Sequence, residues 1–255
     1  MPIHTYIQEH IKANKKMLAI LLDPDDYGNV ELLVETLTAI NTSCVSIVLI
    51  GGSVLTTNIN FNEFVRSVRQ LCNKPILLFP GGGEQVSPHA HGILLLSLVS
   101  GRNPKYLIEE HVNNAIALKQ SKLEILPTGY ILIDAGNATS VSIVTQTQPI
   151  PVNNIALASA TALAATQLGM QHIYLEAGSG ATNAVHSAVI NAVKNELQPQ
   201  HTLWVGGGIT TANKALQAIE AGANVVVVGN AVVNNTAFIY ELSTIFTQLN
   251  FMQQY

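Results

Sequence analysis

The chain has 255 residues and a formal charge of -4, from 12 Lys and Arg against 16 Asp and Glu. Hydrophobic residues make up 48% and charged residues 11%, which excludes long disorder and provides for a sizeable core. No basic block or aromatic–basic alternation is present, which excludes nucleic acid as the main partner.

The N-terminal stretch, Met1 to Lys16, mixes His, Gln, Glu and Lys and lacks the apolar centre of a signal peptide. Met17–Leu22 is the first predicted strand, followed by a polar turn over Asp23–Gly28 and a helix over Val30–Asn41. Val45–Leu49 is strand two and ends at Gly51-Gly52-Ser53; a helix over Asn60–Leu71 follows, then Pro75–Phe79 as strand three. Gly81–Gly83 reads as a flexible loop, Gly92–Ser97 as strand four and Tyr106–Leu118 as its helix. Gly129–Asp134, within the apolar region Glu124–Asp134, is strand five; Thr145–Asn154 is a loop and Ile155–Leu168 an Ala-rich helix. Ile173–Glu176 is strand six, Ala184–Asn195 a helix, Thr202–Val205 strand seven, Val225–Val228 strand eight and Ala237–Met252 the last helix.

Nearly continuous apolar strands joined by helices indicate a parallel sheet covered on both faces. Eight of them in a chain of this length point to one closed (β/α)₈ barrel spanning residues 1–255, with a modified helix near strand three. A doubly wound sheet is the alternative, since periodicity does not decide closure. No run reaches the roughly 18–20 apolar residues that cross a bilayer. Cys44 and Cys72 lie in or beside apolar runs and read as buried free thiols. We therefore expect a cytoplasmic protein whose contact with a membrane surface is transient at most.

Glycine-bearing sequences follow the last three strands: Tyr174 to Gly180, Trp204 to Ile209, and Val228-Gly229-Asn230. In a barrel they lie side by side on the C-terminal face, where exposed backbone N–H groups and a following helix make an anion site. As a set they point to a phosphorylated small ligand; singly, each could be a turn. No G-x-G-x-x-G opens a helix, which argues against a dinucleotide. A second cluster, Asp23, Asp25 and Ser53, caps strands one and two with the hard oxygens that Mg²⁺ prefers, helix N-capping being the structural alternative. Two such sites suggest two phosphate-bearing substrates meeting across the barrel mouth. Glu176 ends strand six inside the glycine cluster, where a carboxylate is costly unless it accepts hydrogen bonds. His89, His91 and His111 read as surface or supporting histidines.

The sequences Leu21-Leu-Asp-Pro-Asp25, Ile50-Gly-Gly-Ser53, Leu78-Phe-Pro-Gly81, Leu96 to Pro104, Leu126 to Leu132, Ala160 to Ala164, Tyr174 to Gly180, Val205 to Ile209 and Val228-Gly-Asn230 together resemble the geranylgeranylglyceryl phosphate synthase family, in order and over nearly the whole chain. The resemblance implies a modified (β/α)₈ barrel that, with Mg²⁺, transfers a prenyl group from geranylgeranyl diphosphate or a similar donor to the 3-hydroxyl of sn-glycerol 1-phosphate. It implies Asp23 and Ser53 as metal ligands and Tyr174, Leu175, Glu176, Ala177, Gly178, Ser179 and Gly180 around the glycerol phosphate, with Glu176 at a hydroxyl. Gly206, Gly207, Gly208, Gly229 and Asn230 would take the phosphate, Tyr130 would border the prenyl groove, and a homo-oligomer is implied. Glu176 and Asp23 are the expected catalytic pair. The chain departs from the pattern at Asp26 (basic in the family), Gly82 (serine) and His91 (aspartate), which the resemblance puts near the diphosphate and groove. A sugar-phosphate aldolase or isomerase, or a non-catalytic phosphate-binding protein, are the alternatives; Lys74, Lys105, Lys119 and Lys194 fall outside the strand ends and offer no Schiff-base amine.

Overall fold

The structure is a computed structural model and describes residues 1–52 and 60–252. Eight parallel strands close into a barrel in chain order. They are β1 (Met17–Leu22), β2 (Ile47–Ile50), β3 (Ile76–Leu78), β4 (Gly92–Leu98), β5 (Glu124–Leu132), β6 (His172–Glu176), β7 (Thr202–Gly206) and β8 (Val225–Val228). Closure is direct: β8 lies beside β1, with Met17 paired to Val225 and Ile20 to Val228. The doubly wound alternative is thereby excluded.

Successive strand residues point to opposite faces, so the apolar set divides in two. Met17, Ala19, Ile47, Leu49, Leu77, Leu94, Leu126, Tyr130, Tyr174, Trp204, Val225 and Val227 fill the barrel. Leu18, Ile20, Val48, Ile50, Ile131, Ile173, Leu175, Val205 and Val226 pack against the helix layer.

That layer comprises α2 (Val30–Asn41), α3 (Phe61–Leu71), α4 (Glu110–Ser121), α6 (Ile155–Gln167), α7 (Ser187–Glu196), α8 (Ala212–Glu220) and α10 (Phe238–Met252). Asn29, Asn60, Asn154 and Thr211 cap four of these helices by accepting a backbone N–H. α6 approaches the sheet closely through alanines: a Cβ on Gly129 would lie 2.7 Å from the Ala165 Cβ.

β3 has 3 residues and runs into an irregular connection to β4, without a helix. The modification expected near strand three is thus the loss of its helix. Strand five begins at Glu124, not at Gly129, because β4 pairs with it from Gly92↔Glu124 to Leu98↔Tyr130. α1 (Ile3–Lys12), α5 (Ser140–Thr145), α8 and α9 (Asn230–Asn234) were not anticipated, nor was the π-helical turn Lys105–Glu109 that opens α4. α1 closes the N-terminal end of the barrel, burying Ile3 and Ile7 among the inward-facing residues. The Glu124 carboxylate accepts the N–H groups of Ile3 and, at 2.8 Å, His4. With that end plugged, the opposite end is the one open to a ligand. No helix among the described residues is long and apolar enough to cross a membrane.

Candidate functional site: a cleft at the C-terminal barrel mouth

A cleft of about 570 Å³ occupies the C-terminal mouth, and each strand of the ring or the loop that follows it contributes to the lining. Its chemistry changes around the ring. At β6, β7 and β8 it is glycine-rich: Gly178, Ser179, Gly180, Gly207, Gly208, Gly229 and Asn230. At β1 and β2 it presents Asp23, Asp26, Gly51 and Gly52. At β4 and α5 it is mainly apolar, with Ile93, Leu95, Leu96, Leu98, Val141 and Ile143, while α4 adds Glu110, His111, Asn114 and Leu118. The acidic sector therefore lies between the glycine sector and the loop after β3 that leads into the apolar sector.

Gly178, Gly207 and Gly208 have φ of +103°, +80° and +65°, the left-handed backbone that glycine adopts without strain. Close approach adds a second reason for glycine: a Cβ on Gly207 would lie 2.3 Å from Oε1 of Glu176, and one on Gly208 2.3 Å from the Asn183 carbonyl. Ser179 donates from Oγ to Oδ1 of Asn230 at 3.3 Å, which joins the β6 and β8 loops. Leu175 and Ala177 point into the helix layer, so only their backbones are available to this sector. Gly206 does not line the cleft; a Cβ there would lie 2.1 Å from the Tyr174 hydroxyl.

Glu176 is 5% exposed. Its Oε1 accepts the Gly178 N–H at 2.6 Å, and the Tyr130 and Tyr174 hydroxyls also hydrogen-bond the carboxylate. Burial pushes its pKa up to about 7, and these three donors only partly offset that. The group is thus poised to exist in both protonation states near neutrality. The two tyrosines and Phe79 form an aromatic floor, with Phe79 and Tyr174 stacked at 5.0 Å and Tyr130 and Tyr174 at 5.4 Å. Tyr130 therefore lines the floor of the cleft beside Glu176 and is paired with Leu98 of the apolar sector.

Asp23 serves two ends at once. Oδ1 accepts the Asp25 N–H at 3.1 Å, the N-capping role, while the residue also lines the cleft. Its pKa is pushed up to about 6 by burial, despite that N–H, with Asp26 and Asp25 adding to the rise. Asp26 is raised as well, by burial and Asp25. A Cβ on Gly52 would fall 2.3 Å from Oδ2 of Asp23, so only glycine lets the carboxylate lie there. No group of three or more His, Cys, Asp or Glu among the described residues could hold a metal ion unaided. Two neighbouring carboxylates whose charge is poorly compensated do fit Mg²⁺, which takes one or two carboxylates and completes its shell with water and substrate phosphate. Ser53, the other expected ligand, lies outside the described residues.

Gln85 was not legible beforehand, and His111 reads from the sequence only as a surface or supporting histidine. Gln85 is fully buried and ties the acidic sector to the loop after β3: its Oε1 accepts from Gly52 N (3.1 Å) and Gly81 N (3.3 Å), and its Nε2 donates to Gly52 O (2.8 Å). His111 lines the cleft from α4, with Nε2 3.2 Å from the Ser97 hydroxyl, and burial holds its pKa down. No Lys or Arg lines the cleft among the described residues. Of the three departures, Asp26 and Gly82 do line it. His91 does not: it precedes β4, and its Nδ1 accepts the Ile76 N–H at 2.9 Å. In a parallel barrel the residue before a strand lies at the end opposite the mouth, so His91 is far from any diphosphate.

The sequence model of the PcrB family matches residues 10–246. The geranylgeranylglyceryl phosphate synthase of Zunongwangia profunda is 45% identical over 225 residues, covering 88% of this chain and 93% of that protein. The chain belongs to the PcrB family. Its likeness extends to archaea: the synthase of Korarchaeum cryptofilum is 38% identical, over 86% of this chain and 88% of that one. Among solved structures, (S)-3-O-geranylgeranylglyceryl phosphate synthase from Thermoplasma acidophilum, in complex with sn-glycerol-1-phosphate, superposes with a TM-score of 0.88 at 27% identity, covering 98% of this chain and 99% of that one. The barrel fold is therefore shared over nearly the whole of both chains.

Proposed function

We propose that this PcrB-family chain is a geranylgeranylglyceryl phosphate synthase, transferring a prenyl group from geranylgeranyl diphosphate to the 3-hydroxyl of sn-glycerol 1-phosphate. The carrying observation is the order of sectors around the mouth: a glycine-rich anion site beside Glu176, then carboxylates, then an apolar wall. A phosphorylated acceptor, a diphosphate and a hydrocarbon tail need that sequence of environments.

The glycine sector binds the acceptor's phosphate through backbone N–H groups, and Glu176 accepts its hydroxyl. The hydroxyl oxygen attacks C1 of the donor as the bond from C1 to the diphosphate breaks. The proton passes to Glu176, whose pKa of about 7 suits it to take a proton only as positive charge builds at C1. The apolar wall aligns the tail and keeps water from the cation-like carbon. Mg²⁺, held by Asp23 with Asp26 beside it, would neutralise the departing diphosphate. Self-association would cover Ile108, Val112 and Ile116, an exposed apolar stripe leading along α4. The free thiols Cys44 and Cys72 suit the cytoplasm.

The test incubates the purified protein with labelled sn-glycerol 1-phosphate and prenyl diphosphates of several lengths, with and without Mg²⁺. The ether product should form, need the cation, and fall sharply with Asp23→Asn while glycerol phosphate still binds. Saturable phosphate binding without product under any condition would overturn the transfer reading.

A further inference from the structure

Lys214 lies in the first turn of α8, where the positive end of a helix disfavours a cation. Its ammonium is held by three neutral oxygens: the Gly208 carbonyl at 3.0 Å, the Thr182 carbonyl at 3.3 Å and the Thr210 hydroxyl at 3.3 Å. Those partners use all three of its donors. The ion pairs among the described residues are Glu63–Arg66 and Lys105–Glu110, so no carboxylate there meets the charge of Lys214.

The oxygens it holds belong to both walls of the glycine sector. Gly208 follows β7, and Thr182 follows the Gly178–Gly180 turn after β6. The Gly208 carbonyl shares a peptide with the Ile209 N–H, and both residues line the cleft. A cation on that carbonyl polarises the peptide and strengthens its N–H as a donor. The β7 loop is also pressed onto the β6 loop, since a Cβ on Gly208 would lie 2.3 Å from the Asn183 carbonyl.

We propose that Lys214 is a positioning residue for the phosphate-bearing acceptor, bolting the β6 and β7 loops together from behind and supplying the positive charge that the cleft lining lacks. The assignment rests on the reading that a phosphate monoester sits in the glycine sector. Lys214 itself stays outside the cleft and acts through Gly208 and Thr182.

Calorimetric titration of inorganic phosphate and sn-glycerol 1-phosphate into the wild type, Lys214→Gln, Lys214→Met and Lys214→Arg tests it without turnover. Removing this charge should weaken both ligands about tenfold in the Gln and Met variants, and Arg should recover most of the loss. In transfer assays the KM for glycerol phosphate should rise while kcat at saturation and the KM for the donor stay near wild type. Wild-type affinity in Lys214→Gln, which keeps hydrogen-bonding capacity but not charge, overturns the proposal, as does a loss that Arg leaves unrestored. Phosphate affinity that depends on Lys214 in a protein with no prenyl transfer supports this role and overturns the transfer reading alone.

Discussion

Glu176 has two demands made on it. Folding has buried a carboxyl among tyrosines, and the proposed transfer would use it as an acceptor. Its raised pKa gives the consequence a sign. The unfolded chain releases this proton near 4.5 and the folded chain near 7, so the folded state binds more protons in between and loses stability as pH rises through that window. Glu176→Gln removes the buried charge. Its melting temperature relative to wild type should be higher at about pH 8 than at about pH 5, while kcat falls on the order of a hundredfold. Melting curves at both pH values check the first half, and a difference that does not change with pH would remove the buried charge from the account. Glu176 was legible as a site residue because it ends a strand beside glycines. Gln85 and Lys214 were not, since one is a lone amide in a loop and the other a lysine on a helix, and their partners are carbonyls and N–H groups that only the fold brings near.

At the scale of elements, the strands could be read because each is a short apolar run and all eight face the core on both sides. The helices were read where an apolar face repeats, as in α2 and α3, or where alanines run together, as in α6. α1 escaped because only Ile3 and Ile7 anchor it, within a polar segment that reads as a tail. α5 and α9 are short, at 6 and 5 residues, and the π-helical turn before α4 leaves no periodic trace. α1 depends on a distant partner, since Glu124 accepts two of its N-terminal N–H groups. Glu124→Ala leaves those donors uncapped and should cost roughly 0.5–2 kcal/mol, the range for loss of a helix cap. Hydrogen exchange should quicken in Ile3–Lys12 while glycerol phosphate affinity stays unchanged, because the cleft is at the other end. Exchange in α1 at the wild-type rate would show that Ile3 and Ile7 hold it without the cap.

For the whole molecule, the plugged end also sets a response to acid. His172 is buried there, accepts from Trp204 Nε1 at Nδ1 (3.2 Å) and has Nε2 3.4 Å from Nδ1 of His4. Burial, reinforced by His4 and His201, lowers its pKa to about 3. The unfolded chain takes up this proton near 6.5 and the folded chain near 3, so stability from this group rises with pH across that window and is lost on acidification. His172→Gln can still accept from Trp204 but cannot be protonated. Its acid-unfolding midpoint should move to lower pH, with stability above about pH 7 changed little by charge; an unmoved midpoint would assign acid sensitivity to other groups.

The absence of Lys and Arg from the cleft lining also bears on how ligands arrive. In many anion-binding proteins a basic funnel reaches into solvent and pulls the ligand inward from beyond a Debye length. This molecule carries a formal charge of -4 and shows carboxylates at its mouth, so its far field opposes an approaching phosphate ester. On the proposed function, recognition is then a contact event, decided within hydrogen-bonding range by backbone amides. Encounter is correspondingly unaided, and dissolved salt, by damping the repulsion, hastens capture of an anion where it would slow a basic funnel.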